Sequence, residues 1–156
     1  MNNKQTHAVN DFAMPPVVRI QLVREDVQRY QVSGFVDAYN VASQFLENED
    51  RENLIAILLD TSGHVNGVFT ISIGDSNQAV ANPREIFKAA ILTNACSIIL
   101  AHNHPSGKID PSDADIEMTK RVIAAGKILN IEVLDHVIVG HKRRYSMREN
   151  NIVNFN

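Results

Sequence analysis

Cysteine is almost absent from this 156-residue chain, where Cys96 stands alone. One thiol excludes a disulfide within the chain and any cysteine-rich metal site, and it fits a reducing compartment. Long apolar runs are missing too. None approaches the roughly 18 residues that a transmembrane helix needs, and residues 1–13 are polar, without the continuous apolar stretch of a secretory signal. A cytoplasmic location without membrane contact is therefore expected. Neither sign of charge is in great excess. With 15 Lys and Arg against 18 Asp and Glu the formal charge is −3, which gives no general pull toward nucleic acid or anionic lipid. Internal repeats, linkers and low-complexity segments are lacking as well.

What is present is an ordinary globular mix, 44% apolar and 21% charged, at a length that suits one domain. Residues 1–14 read as a polar tail ahead of Pro15-Pro16, and 15–156 as a single domain. A first strand is expected at 17–23. Phe35, Val36, Tyr39, Val41, Ala42, Phe45 and Leu46 recur at helical spacing, and the acidic stretch 47–52 reads as a solvated connection. Leu54-Ile55-Ala56-Ile57-Leu58-Leu59 is a short continuous apolar run, as in a strand buried on both faces. After the turn residues 60–63, the alternating run 65–73 completes a hairpin. Asn82-Pro83-Arg84-Glu85 opens a helix that ends near Asn94, with Asn as cap, Pro at the first helical position and an acid at the third. Ser97-Ile98-Ile99-Leu100-Ala101 is a second buried strand. Ser112 opens a further helix whose buried side is marked by Ile116, Thr119, Val122, Ile123 and Leu129. Val133-Leu134 and Val137-Ile138-Val139 read as a strand, and Tyr145 begins a last short one. Alternating strands and helices predict an α/β (α+β) architecture, a mixed sheet flanked by helices.

The informative segment is His102-Asn103-His104-Pro105-Ser106-Gly107, followed by Pro111-Ser112-Asp113-Ala114-Asp115. Residues i and i+2 of a strand point to the same side, so a strand running through this segment makes the two imidazoles converge. Two neutral ring nitrogens are half of a tetrahedral zinc site, and Asp115 on the first turn of the next helix is a candidate third ligand. Three protein ligands leave a position for water, which zinc can ionise near neutral pH. Plainer readings exist for each part. Ser112-x-x-Asp115 also fits a capping box, and a lone H-x-H arises by chance. Asp115 could serve both purposes, one oxygen toward the metal and the other toward the helix end. The full pattern H-x-H-x7-S-x2-D at a strand–loop–helix junction is far more specific. Other H-x-H chemistries fail on counts. A zinc deaminase needs a P-C-x-x-C pair, an amidohydrolase barrel needs about 250 residues, and a beta-lactamase-like metal fold wants an Asp-His pair where Pro105-Ser106-Gly107 stands.

His102-Asn103-His104-Pro105-Ser106-Gly107, preceded by Pro83-Arg84-Glu85-Ile86-Phe87-Lys88 and followed by Leu134-Asp135-His136-Val137-Ile138-Val139-Gly140, closely resembles the RadC-like proteins. These are bacterial members of the JAMM, or MPN-plus, superfamily, historically labelled DNA repair proteins. The resemblance runs from about Ser33 to Arg148. It implies a JAB domain, a mixed sheet related to the cytidine deaminases, with one zinc ion per chain held by His102, His104 and Asp115. It also implies hydrolysis of an amide or isopeptide bond, hence a peptide or isopeptide-linked protein as substrate. Typical members carry a helical domain with a helix-hairpin-helix-like segment ahead of the metal domain. There is no room for it here, so a short stand-alone form is expected, and DNA is a weakly supported partner.

By the same resemblance Glu52, just ahead of the strand upstream of H-x-H, matches the superfamily's general base, which takes a proton from water and passes it to the leaving amine. Its plainer reading is a solvated acid in a charge run, and Glu85 is its rival. Ser112 matches the superfamily serine that polarises the substrate oxygen or positions the water, and is equally a helix cap. Asn103, pointing away from the histidines, reads as structural, and Gly107 as a backbone geometry closed to other residues. His136 reads as a core histidine satisfied by hydrogen bonds, Cys96 as a small core residue, and His141-Lys142-Arg143-Arg144 as a solvated basic loop. A non-catalytic accessory module of DNA transactions is the second functional reading. A metal-dependent nuclease is a third, disfavoured because one carboxylate ligand is poor for a two-metal phosphoryl site.

Overall fold

The computed structural model describes residues 29–73 and 82–156. The tail expected at 1–14 and the strand expected at 17–23 lie outside the described residues. Within them the chain runs α1 (Phe35–Leu46), β1 (Asn53–Leu59), β2 (Val65–Ile73), α2 (Pro83–Leu92), β3 (Ser97–Asn103), α3 (Asp113–Leu129), β4 (Glu132–Gly140) and β5 (Arg143–Ser146). The strands form one mixed sheet in the order β2-β1-β3-β4-β5. β3 and β4 are parallel, joined through α3, and the other neighbouring pairs are antiparallel. This is the α/β, JAB-like architecture expected from the sequence.

All seven residues of β1 are buried, which accounts for its unbroken apolar run. Alternate residues face opposite sides of a strand. Leu54, Ala56 and Leu58 therefore join the core beneath α2 and α3, while Ile55, Ile57 and Leu59 join the core beneath α1. β3 divides the same way, with Ile98 and Leu100 toward α2 and α3 and Ile99 and Ala101 toward α1. Continuing that alternation, His102 falls on the α3 side and Asn103 on the other. The strand that builds both cores thus also aims the first histidine.

Local chemistry sets the helix ends. Asn82 caps α2, its side chain accepting the N–H of Arg84 at 3.0 Å, and Pro83 occupies the first turn. Ser112 caps α3 in a reciprocal capping box with Asp115. α3 ends at Asn130, whose left-handed φ of 55° turns the chain into β4.

Several expectations are corrected. Leu129 is 43% exposed, because the chain turns at Asn130 and Ile131 fills that end of the core instead. Val36 and Phe45 are about half exposed; Ala38, Val41, Ala42 and Leu46 form the inner stripe of α1. Cys96 is exposed, not a core residue. Its backbone bridges Leu59 and Glu132 while Ala95 and Ile98 supply the apolar contacts on either side. β2 shows no alternation in burial, since it is the edge strand and none of its residues is fully covered. Arg143 and Arg144 belong to β5, not to a solvated loop, and the Arg144 guanidinium lies 5.6 Å from the Phe35 ring centroid and 5.4 Å from that of Tyr39. No helix among the described residues is long and apolar enough to cross a membrane.

Candidate metal centre

β3 carries the chain through Asn103, so His102 and Asn103 leave the sheet in fixed orientations and His104 follows at the strand's end. The return loop is tightly built. Gly107 has φ +75°, a conformation that side chains disfavour, and its N–H donates to the His104 carbonyl at 2.9 Å. Gly140, at the end of β4, lets the loop pass: a Cβ there would meet Gly107 O at 3.1 Å and Ile109 Cγ2 at 2.7 Å. The loop delivers Ser112 and then Asp115, on the first turn of α3.

The Nε2 atoms of His102 and His104 lie 2.9 Å apart. Asp115 faces both, Oδ1 at 3.5 Å from His102 Nε2 and Oδ2 at 3.6 Å from His104 Nε2. Glu52 completes the group, and one potential ligand atom from each of the four residues lies within 4.8 Å of the others. Ligands about 2.0–2.2 Å from a tetrahedral zinc stand about 3.4 Å from one another. The two histidine–Asp115 distances match that spacing, and the two histidine nitrogens stand closer to each other. The second nitrogen of each ring is engaged elsewhere. His104 Nδ1 donates to the Lys108 carbonyl at 2.9 Å, and His102 Nδ1 lies 2.7 Å from His136 Nε2. These residues fit a metal ion.

The electrostatics separate the four groups. Burial lowers His102 to about 4, with the Asp115 charge opposing and His104 assisting, so its ring is neutral. Contact with Asp115 raises His104, against its partial burial. Burial opposes the charge on Asp115, yet His104, His102 and the hydroxyl and backbone of Ser112 together hold its carboxyl well below the usual range. Burial pushes Glu52 up, and nearby Asp115 adds to this while His104 opposes it.

Asn103 explains how an acid in the charged 47–52 stretch comes to be half-buried. Its Oδ1 accepts the N–H of Asn53 at 2.8 Å, while Nδ2 donates to the carbonyls of Arg51 at 2.9 Å and Glu49 at 3.4 Å. Glu52 is thereby held between anchored neighbours. Glu85 stands outside the group, partly exposed and paired with Lys88 at 2.9 Å, which lowers it.

Ser112 borders the group without joining it. Its hydroxyl donates to Asp115 Oδ2 at 2.6 Å and accepts the Asp115 N–H at 3.2 Å, and its own N–H reaches Oδ2 at 2.8 Å. Asp115 thus serves the helix end with Oδ2 and leaves Oδ1 toward His102. His136 is fully buried between His102 and Thr119, whose Oγ1 lies 2.6 Å from His136 Nδ1. The contact of Thr119 with this assembly was not read from the sequence. The signal was its place four residues after Asp115, one helical turn on.

Comparison with known sequences shows the family. The pattern of the RadC-like JAB domain matches residues 32–152. A UPF0758 protein of Caldanaerobacter subterraneus subsp. tengcongensis is 41% identical over 128 residues, 82% of this chain and 55% of the relative. One from Rubrobacter xylanophilus is 48% identical over 122 residues, 78% of this chain and 53% of the relative. One from Moorella thermoacetica is 49% identical over 104 residues, 67% and 45% of the two. The chain spans about half the length of these curated relatives. With the family pattern covering most of the sequence, including the candidate metal group, the chain belongs to the RadC-like JAB domain family.

Proposed function

We propose that this chain is a zinc-dependent hydrolase of amide or isopeptide bonds, acting on a peptide or an isopeptide-linked protein. The observation that carries the reading is the convergence of Glu52, His102, His104 and Asp115, with the two Nε2 atoms facing each other at 2.9 Å. His102, His104 and Asp115 would hold the ion. Bound zinc supplies a Lewis acid that brings the ionisation of water near neutral pH.

The remaining roles belong to the chain's own side chains. Glu52, half-buried and pushed upward by that burial, takes a proton from the attacking water. It returns that proton to the amine nitrogen as the C–N bond breaks, a shuttle that works best when the carrier's pKa lies near the working pH. Ser112 orients Asp115 through the bond at 2.6 Å. To polarise a substrate oxygen as well, its hydroxyl must turn away from Asp115.

Elemental analysis of the parent and of His104→Ala tests the metal first. Near one zinc per chain in the parent and little in the variant is the expected result. A parent that neither holds nor takes up zinc overturns the hydrolase reading and leaves the accessory binding module in front. Given zinc, Glu52→Gln is expected to keep the ion and abolish cleavage of the amide or isopeptide substrates that the parent accepts.

A further inference from the structure

We propose that Thr119 and His136 are positioning residues that fix the tautomer of His102, so that its Nε2 presents a lone pair to the metal centre. The inference rests on the metal-binding reading above, and its test separates the two.

The argument begins with one hydroxyl proton. Thr119 Oγ1 lies 2.6 Å from the backbone oxygen of Asp115, 2.6 Å from His136 Nδ1, and 3.6 Å from Met147 Sδ. Two oxygens so close need a hydrogen between them, and a carbonyl brings none. The threonine therefore donates to Asp115. Its single proton is then committed, so toward His136 it can only accept, and Nδ1 of His136 carries the hydrogen.

From there the rings determine each other. His136 is fully buried and its ring nitrogens face His102 and Thr119, neither of them a carboxylate. A charge there would go uncompensated, so the ring is neutral and has one N–H. Its Nε2 is therefore a lone pair, 2.7 Å from Nδ1 of His102. Both rings are buried, so water is not the partner, and Nδ1 of His102 must donate. By the same count, Nε2 of His102 keeps its lone pair. That atom faces His104 Nε2 at 2.9 Å and Asp115 Oδ1 at 3.5 Å.

The direction of the whole series is set on α3. The Asp115 that offers its carboxylate to the site also takes, through its carbonyl, the proton that orders the two rings. One helical turn thus fixes both the place of one ligand and the protonation pattern of another. Outer partners of this kind typically alter metal affinity by about 10–100-fold.

Long-range proton–nitrogen correlation spectra of the 15N-labelled, metal-free chain read each imidazole tautomer without any activity assay. His102 and His136 are expected as Nδ1–H forms. Thr119→Val should turn both to Nε2–H and weaken zinc binding by about 10–100-fold in competition with a chromophoric chelator, and Thr119→Ser should restore both properties. An Nε2–H on either ring of the parent, or parental zinc affinity in Thr119→Val, overturns the proposal. If the valine variant does not fold, the parent spectra decide alone. A parent that binds no zinc removes the metal reading, while the same spectra still decide the tautomer series.

Discussion

The carboxamide of Asn103 accepts the backbone N–H of Asn53 at 2.8 Å, although fifty positions separate the two residues. Because Asn103 stands between the histidines and Asn53 follows Glu52, this bond couples the candidate metal ligands to the proposed proton carrier. Asn103→Ala orphans a buried N–H, a loss of about 2 kcal/mol. Zinc should remain, since His102 stays on β3 and His104 stays tied to Lys108 at its end. Turnover should fall roughly 100-fold, the scale expected when a reacting group shifts by about 1 Å. Zinc content, urea unfolding and kinetics measured on the same preparation check this. Parental turnover in a folded Asn103→Ala would show that Glu52 is placed by other means.

A metal ion bound by the folded state alone should stabilise it. At free zinc 100-fold above the dissociation constant the gain is about 2.7 kcal/mol, or roughly 5–10 °C in Tm for a chain of this size. A chelator should reverse the shift, and His104→Ala should show little of it. An equal shift in the variant would place the zinc elsewhere.

Ser112→Ala removes the hydroxyl that caps α3 and donates to Asp115 Oδ2. The cap alone is worth about 1 kcal/mol. Ser112→Thr, which keeps the hydroxyl, should stay close to the parent. Chemical denaturation of the two variants side by side measures the difference, and an alanine variant as stable as the parent would contradict the capping role.

Gly126 is required by close approach rather than by conformation. A Cβ there would lie 2.5 Å from the Ile131 carbonyl oxygen, 3.1 Å from Val133 Cγ2 and 3.2 Å from Phe87 Cζ. Ordinarily Gly→Ala within a helix gains up to about 1 kcal/mol. Here overpacking costs about 1–3 kcal/mol, and the nearest atom is backbone that cannot rotate away. Gly126→Ala should therefore lower the urea midpoint with an unchanged slope.

Legibility in the sequence followed the range of each interaction. The strands β1 and β3 were readable because burial on both faces writes an unbroken apolar run. The start of α2 was readable from Asn82 and Pro83, and the histidine–aspartate pattern because its members share one short strand–loop–helix passage. Glu52 was harder, since its surroundings in sequence are charged and the burial comes from Asn103, far along the chain. Thr119 and His136 meet only after α3 packs on β4. The exposure of Cys96 and Leu129 is not legible, because apolar or small residues next to buried elements look alike whichever way they face. The place of Arg144 in β5 is not legible, since a basic cluster gives no sign of two aromatic rings on a neighbouring helix.

The exposed thiol of Cys96 has a practical consequence. It precedes the first residue of β3, and the facing imidazoles begin at the other end of that strand. Six residues of extended chain span about 20 Å. A nitroxide attached to the native cysteine would therefore lie within range for dipolar distance measurement to a paramagnetic ion such as Mn2+ substituted at the histidines. The unmutated protein thus carries its own ruler, with one end fixed on Cys96 and the other wherever the ion binds.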